Sequence, residues 1–61
     1  MNRIKEVLLD QGRSQLWLAG KTGIRYTIIT NYCNNRTQPS KPVFDRIARI
    51  LDVPVSSLRQ E

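Results

Sequence analysis

The chain has no histidine and a single cysteine, Cys33, among its 61 residues. Without an imidazole, that thiol lacks the usual partner that lowers a cysteine pKa, and the commonest general acid–base is missing. A lone cysteine forms no internal disulfide, which suits a reducing compartment, so a cytoplasmic setting is expected. Acidic residues are scarce, five against ten Lys and Arg. Asp10, Asp45 and Asp52 stand singly, without the spacing of a carboxylate pair or a metal site. Gly12, Gly20 and Gly23 lack the context of a phosphate-cradling loop. No apolar run is long enough to span a bilayer, and the start Met-Asn-Arg-Ile-Lys-Glu is charged where a signal peptide is apolar. Together these absences predict a protein that is not an enzyme, uses no cofactor or metal, and does not enter a membrane. The polar residues read as solvated surface.

What is present is charge of one sign in one place. The net charge is +5, and no acidic residue occurs between Gln11 and Phe44, where Arg13, Lys21, Arg25, Arg36 and Lys41 lie. Outside that stretch, Arg3, Lys5, Arg46, Arg49 and Arg59 balance Glu6, Asp10, Asp45, Asp52 and Glu61. The whole excess therefore sits in the middle of the chain, as on a face that binds a polyanion. The competing reading is a basic surface kept for solubility.

Apolar periodicity predicts helices throughout. Ile4, Val7 and Leu8 share one face of a first helix over Arg3–Gln11, stopped by Gly12. Ser14 is a good N-cap for a second helix, Gln15–Thr22, with Leu18 and Ala19 facing inward and Gly23 turning the chain. A third helix follows from about Arg25 to Cys33, with Ile28, Ile29 and Tyr32 as apolar candidates, and Asn34-Asn35 ends it. Ser40 is expected to cap a fourth helix with Pro42 in its first turn and Phe44, Ile47, Ala48 and Leu51 as its buried stripe. Val55–Leu58 makes a short fifth element after the Asp52-Val53-Pro54 break. Leu9, Leu16, Trp17 and Ile50 lie off these stripes. The predicted fold is an all-α bundle of five short helices, one domain over residues 1–61, near the lower size limit for folding unaided.

Several of these residues occur in a known register. The segment from Gln15 to Asn34 resembles the helix-turn-helix of the Cro and phage-repressor family, and the likeness runs from Arg3 to about Leu58. Its markers are Ser14-Gln15, Leu18-Ala19, Gly23 four residues after Ala19, Ile24, Ile29 and Pro39-Ser40. Small Ala19 lets the two motif helices approach, Gly23 turns between them, and Ile24 and Ile29 anchor the following helix. Departures are Arg13 and Thr22 at commonly apolar positions, Tyr32 for an aliphatic or Trp, Cys33 for a frequent acid, and Asn35 for Gly.

The resemblance implies a lambda-repressor-like bundle whose second motif helix enters the major groove of double-stranded DNA. Carried over by position, the base-contact candidates are Arg25, Tyr26, Thr27 and Asn31, with Thr30 on the same face. Arg suits guanine O6 and N7, Asn suits adenine N6 and N7, and the Thr methyl suits the thymine methyl. Phosphate-contact candidates are Gln15, Arg36, Thr37 and Lys41. Against these roles stand packing of Tyr26 on the surface and a solvated Asn31 or Thr30. Trp17 reads as packing or a subunit contact, and Cys33 as a small filler. Arg25 falls at or beside the helix N-cap, a position where an arginine neither caps nor suits the macrodipole, so DNA binding is its expected purpose.

The resulting expectation is a transcriptional regulator, a repressor, binding duplex DNA as a homodimer through its own bundle, with Ile50 and Val55 as contacts. The chain ends soon after Leu58, so no small-molecule effector is expected. One alternative is a protein-interaction module, such as an antitoxin or assembly subunit, which predicts an apolar exposed patch around Leu9, Trp17 or Ile50. The other is an RNA binder, supported only by Tyr26 and Tyr32 as stacking surfaces.

Overall fold

The computed structural model describes residues 1–59, with α1 at Ile4–Asp10, α2 at Gln15–Thr22, α3 at Tyr26–Cys33 and α4 at Lys41–Leu51. Gln60 and Glu61, including one of the flank acids counted in the charge balance, lie outside the described residues. Among the described residues the architecture is all-α with four helices, which corrects the expected five. Val55–Ser57 is a single 3-10 turn: Ser57 N donates to Pro54 O and Leu58 N to Val55 O, both at 2.9 Å and both spanning three residues. Pro54 is extended, and Leu58 already turns into the core, so too few residues remain for an α-helical ladder.

The helices form where apolar spacing and caps agree. Each contributes to one core: Ile4 and Leu8 from α1, Leu18 and Ala19 from α2, Ile29 and Cys33 from α3, and Ile47, Ala48 and Leu51 from α4, closed by Leu58; in α3 Cys33 takes the inner place expected for Ile28 and Tyr32. Val7 and Phe44, expected inside, pack at the margin, together with Trp17 and Ile50. Leu9 and Leu16 stay outside, about two-thirds exposed at 68% and 67%. None of the helices is long and apolar enough to cross a membrane.

Ser14 caps α2 as expected, its Oγ accepting from Trp17 N at 2.9 Å. Ser40 occupies the N-cap position of α4 but its hydroxyl makes no cap bond. Pro42 at the second helical position has no N–H to give, and the third, that of Val43, is not taken up by the hydroxyl, although Ser14 caps α2 through the equivalent N–H of Trp17. Only the Ser40 carbonyl engages, accepting from Phe44 N at 2.9 Å.

The chain ends are tied down by a residue no stripe marks. Asn2 is 2% exposed. Its Nδ2 donates to Tyr32 O at 2.8 Å and Gln38 Oε1 at 2.9 Å, while its Oδ1 accepts from Ile4 N at 3.0 Å. Its backbone N–H donates to Asn35 Oδ1 at 2.7 Å. Asn2 also bridges to Arg59, and Arg3 N donates to Leu58 O at 2.8 Å. One buried amide thus joins the start of α1, the exit of α3 and the end of the described chain.

Candidate nucleic-acid interface

The geometry of the α2–α3 pair begins at their turn. Gly23 ends α2 in the left-handed region, φ 73°, and its N–H donates to Ala19 O at 2.9 Å. Thr22, buried to 1% exposure, donates its hydroxyl to Leu18 O at 2.9 Å and accepts from Ile24 N at 3.2 Å. The hydroxyl satisfies a turn N–H that would otherwise be lost at the core edge. A polar residue at this commonly apolar position is thereby accounted for.

α3 then starts with Arg25 as its N-cap, φ −57° and ψ 142°. The Arg25 carbonyl accepts from Ile28 N at 3.0 Å and Ile29 N at 3.1 Å, but its side chain makes no cap bond. Arg25, Tyr26 and Thr27 are exposed, Tyr26 by half. Ile29 and Cys33 bury the inner stripe, so the helical period turns Thr27 and Asn31 to the opposite side. Thr30 and Asn31 are half-buried on its flanks. Thr30 faces α2: its hydroxyl donates to Gln15 Oε1 at 3.2 Å, joining a base-contact candidate to a phosphate-contact candidate.

Past α3, Asn35 takes the left-handed turn at φ 59°, where the family often has glycine. The turn folds the chain back, so that Arg36 N donates to Asn31 O at 2.9 Å and exposed Arg36 and Thr37 flank the end of the helix. Gln15 is thus bonded to Thr30 through side chains, Arg36 and Thr37 are bonded to Asn31 through the backbone, and Arg25–Thr27 lead into the same helix. Lys41 is not among them. It lines a separate cleft of about 370 Å³ with Met1, Gln38, Pro39, Phe44, Val55 and Arg59.

A family model described as helix-turn-helix matches residues 4–58. The chain belongs to the helix-turn-helix family. The type is that of Cro and the phage repressors. A crystal structure from Bacteroides fragilis, provisionally described as a DNA-binding protein, superposes with a TM-score of 0.92 at 36% identity, covering 95% of this chain and 94% of that one. No curated protein matches significantly.

The helix-turn-helix departures have local explanations. Arg13 holds its apolar-type position by stacking, its guanidinium 4.0 Å from the centre of the Trp17 ring, with the Lys21 ammonium 6.0 Å away. Cys33 fills the core where the family often has an acid, and burial pushes its thiol up to about 11. Two residues escaped sequence reasoning. Asn2 carried no pattern, because its partners lie more than thirty residues away. Ile28, one of the apolar candidates of the third helix, is 37% exposed. Its offset of 100° from the Ile29–Cys33 stripe was the available signal.

Proposed function

We propose that this helix-turn-helix protein is a sequence-specific binder of duplex DNA, a repressor acting in the cytoplasm as a homodimer, and not an enzyme. The observation that carries the reading is the outward side of α3. Its polar and basic residues are base-edge donors and acceptors, and candidate phosphate ligands border it at the α2 edge, Gln15, and at the exit of the helix, Arg36 and Thr37. Arg25, Tyr26, Thr27 and Asn31 read bases, with Thr30 held against Gln15 at the α2 border. Gln15, Arg36 and Thr37 bind the phosphates that position the helix, and Lys41 adds a contact farther out. The acid-free stretch from Gln11 to Phe44 supports the same reading, since nothing in it repels a phosphate backbone. Family membership and the description of the Bacteroides fragilis structure support it independently.

A single module of this kind covers only about 600–1,000 Å² on DNA, so two copies on a palindrome supply the affinity that control requires. The surface of α4 and the 3-10 turn, with half-buried Ile50 and Val55, is the proposed interface. A second reading, binding of another protein, draws on exposed Leu9 and Leu16. Selection from a random duplex library decides between them. Enrichment of one two-fold repeat supports DNA recognition; no enrichment, with salt-insensitive binding, refutes it.

A further inference from the structure

Ile28 is an apolar side chain that folding leaves partly in solvent. It is 37% exposed, although its neighbour Ile29 is completely buried. A β-branched residue here loses rotamer freedom and leaves over a third of its apolar surface in water, where Ile29 leaves none. Around α3 the helical period places Thr30 at the edge that touches α2, then Thr27 and Asn31, and Ile28 at the opposite edge. Thus Ile28 borders the same outward side as the polar candidates.

The major groove floor presents donors, acceptors and one apolar group, the C5 methyl of thymine. An isoleucine brought to that floor gains nothing from an acceptor or an amino group and gains burial from a methyl. We infer that Ile28 is a specificity-determining residue that reads the 5-methyl group of a thymine in the half-site. The inference rests on the DNA-binding reading above and names what one further position of that site recognises. Thr27, 100° away on the helix, would meet a different base, so two methyl contacts are separable.

The test replaces each thymine of the selected duplex in turn by deoxyuridine, which removes one methyl and leaves every hydrogen-bonding group in place. Binding of the full chain is measured for the unaltered protein, Ile28→Ala and Thr27→Ser. One deoxyuridine position should weaken the unaltered protein about four-fold, the value of one methyl removed from water. Ile28→Ala should bind thymine and deoxyuridine duplexes equally at that position, while Thr27→Ser keeps the full difference there. Circular dichroism checks that each variant is folded, and Ile28→Val, which retains a branched apolar tip, should keep part of the difference. Specific binding indifferent to every methyl, or a difference undiminished in Ile28→Ala, overturns the role of Ile28 and leaves DNA recognition standing. Failure to select any duplex overturns both.

Discussion

Arg25 serves two requirements that pull apart. As the N-cap of α3 it offers no side-chain acceptor, and its charge opposes the positive end of the helix dipole. Arg25→Ser restores the acceptor in a backbone already extended at the cap, so the melting temperature should hold or rise, by up to about 1 kcal/mol of stability. Specific affinity should fall by about 1–3 kcal/mol, concentrated at one base pair if the guanidinium bridges guanine. Melting and binding measured on one sample check this; a destabilised variant with intact affinity would make Arg25 structural. Cys33 behaves oppositely, being wholly structural. Its folded thiol titrates near 11 against 9.0 in the unfolded chain, so its contribution to stability is complete below pH 9 and declines as pH rises toward 11. Cys33→Ala should flatten that alkaline limb of the stability profile relative to the parent, and the native thiol should resist iodoacetamide until the chain unfolds.

At the scale of the element, α2 shows how two glycines three residues apart differ. Gly20 is exposed within the helix, its φ is ordinary, and a Cβ there would meet nothing within 4 Å. Gly20→Ala should therefore stabilise by about 0.5–1 kcal/mol through helix propensity and a less flexible unfolded chain. Gly23 has equally free space but φ 73°. Gly23→Ala should cost about 1–2 kcal/mol from conformation alone, with no steric clash to relieve. Opposite shifts in denaturant midpoint with unchanged slope would confirm the distinction. If Gly23→Ala proves neutral, the turn is not held by its left-handed residue. The same turn sets the angle at which α3 leaves α2, so its strain bears on function as well as stability.

For the whole molecule, the proposed repressor acts through charge and symmetry. Affinity for duplex DNA should fall steeply with salt as counterions are released. Arg36→Ala should weaken all sequences similarly and lower the salt slope by about 1. Lys41→Ala should do the same if DNA reaches past the exit of α3 to the cleft edge that Lys41 lines; an unchanged slope would confine the interface to α2, α3 and the Arg36–Thr37 exit. The preferred site should repeat with half-site centres about 10 bp apart, and ultracentrifugation should find two chains on it. A stable one-to-one complex on an asymmetric duplex would dispose of the dimer.

The sequence by itself determined the helices, most caps and the family register, because these rest on local rules. Ser14, Gly23, Asn35 and the Ile4–Leu8 and Ile47–Leu51 stripes each act within a few residues along the chain. Its local rules failed at Ser40, whose hydroxyl makes no cap bond, and at Val55–Ser57, where Pro54 with Leu58 left room for one 3-10 turn instead of a helix. Tertiary structure alone decided what Asn2, Gln11 and Thr30 do. Asn2 and Gln11 bond groups more than thirty residues distant, Gln11 donating to Leu51 O at 2.7 Å, and no periodicity encodes such a partner. Thr30 lies beside Gln15 only once the Gly23 turn brings α3 against α2. Ile28 and Ile29 are the same residue type side by side; the helical period sets them 100° apart, and the packing of α3 decides which of the two is buried.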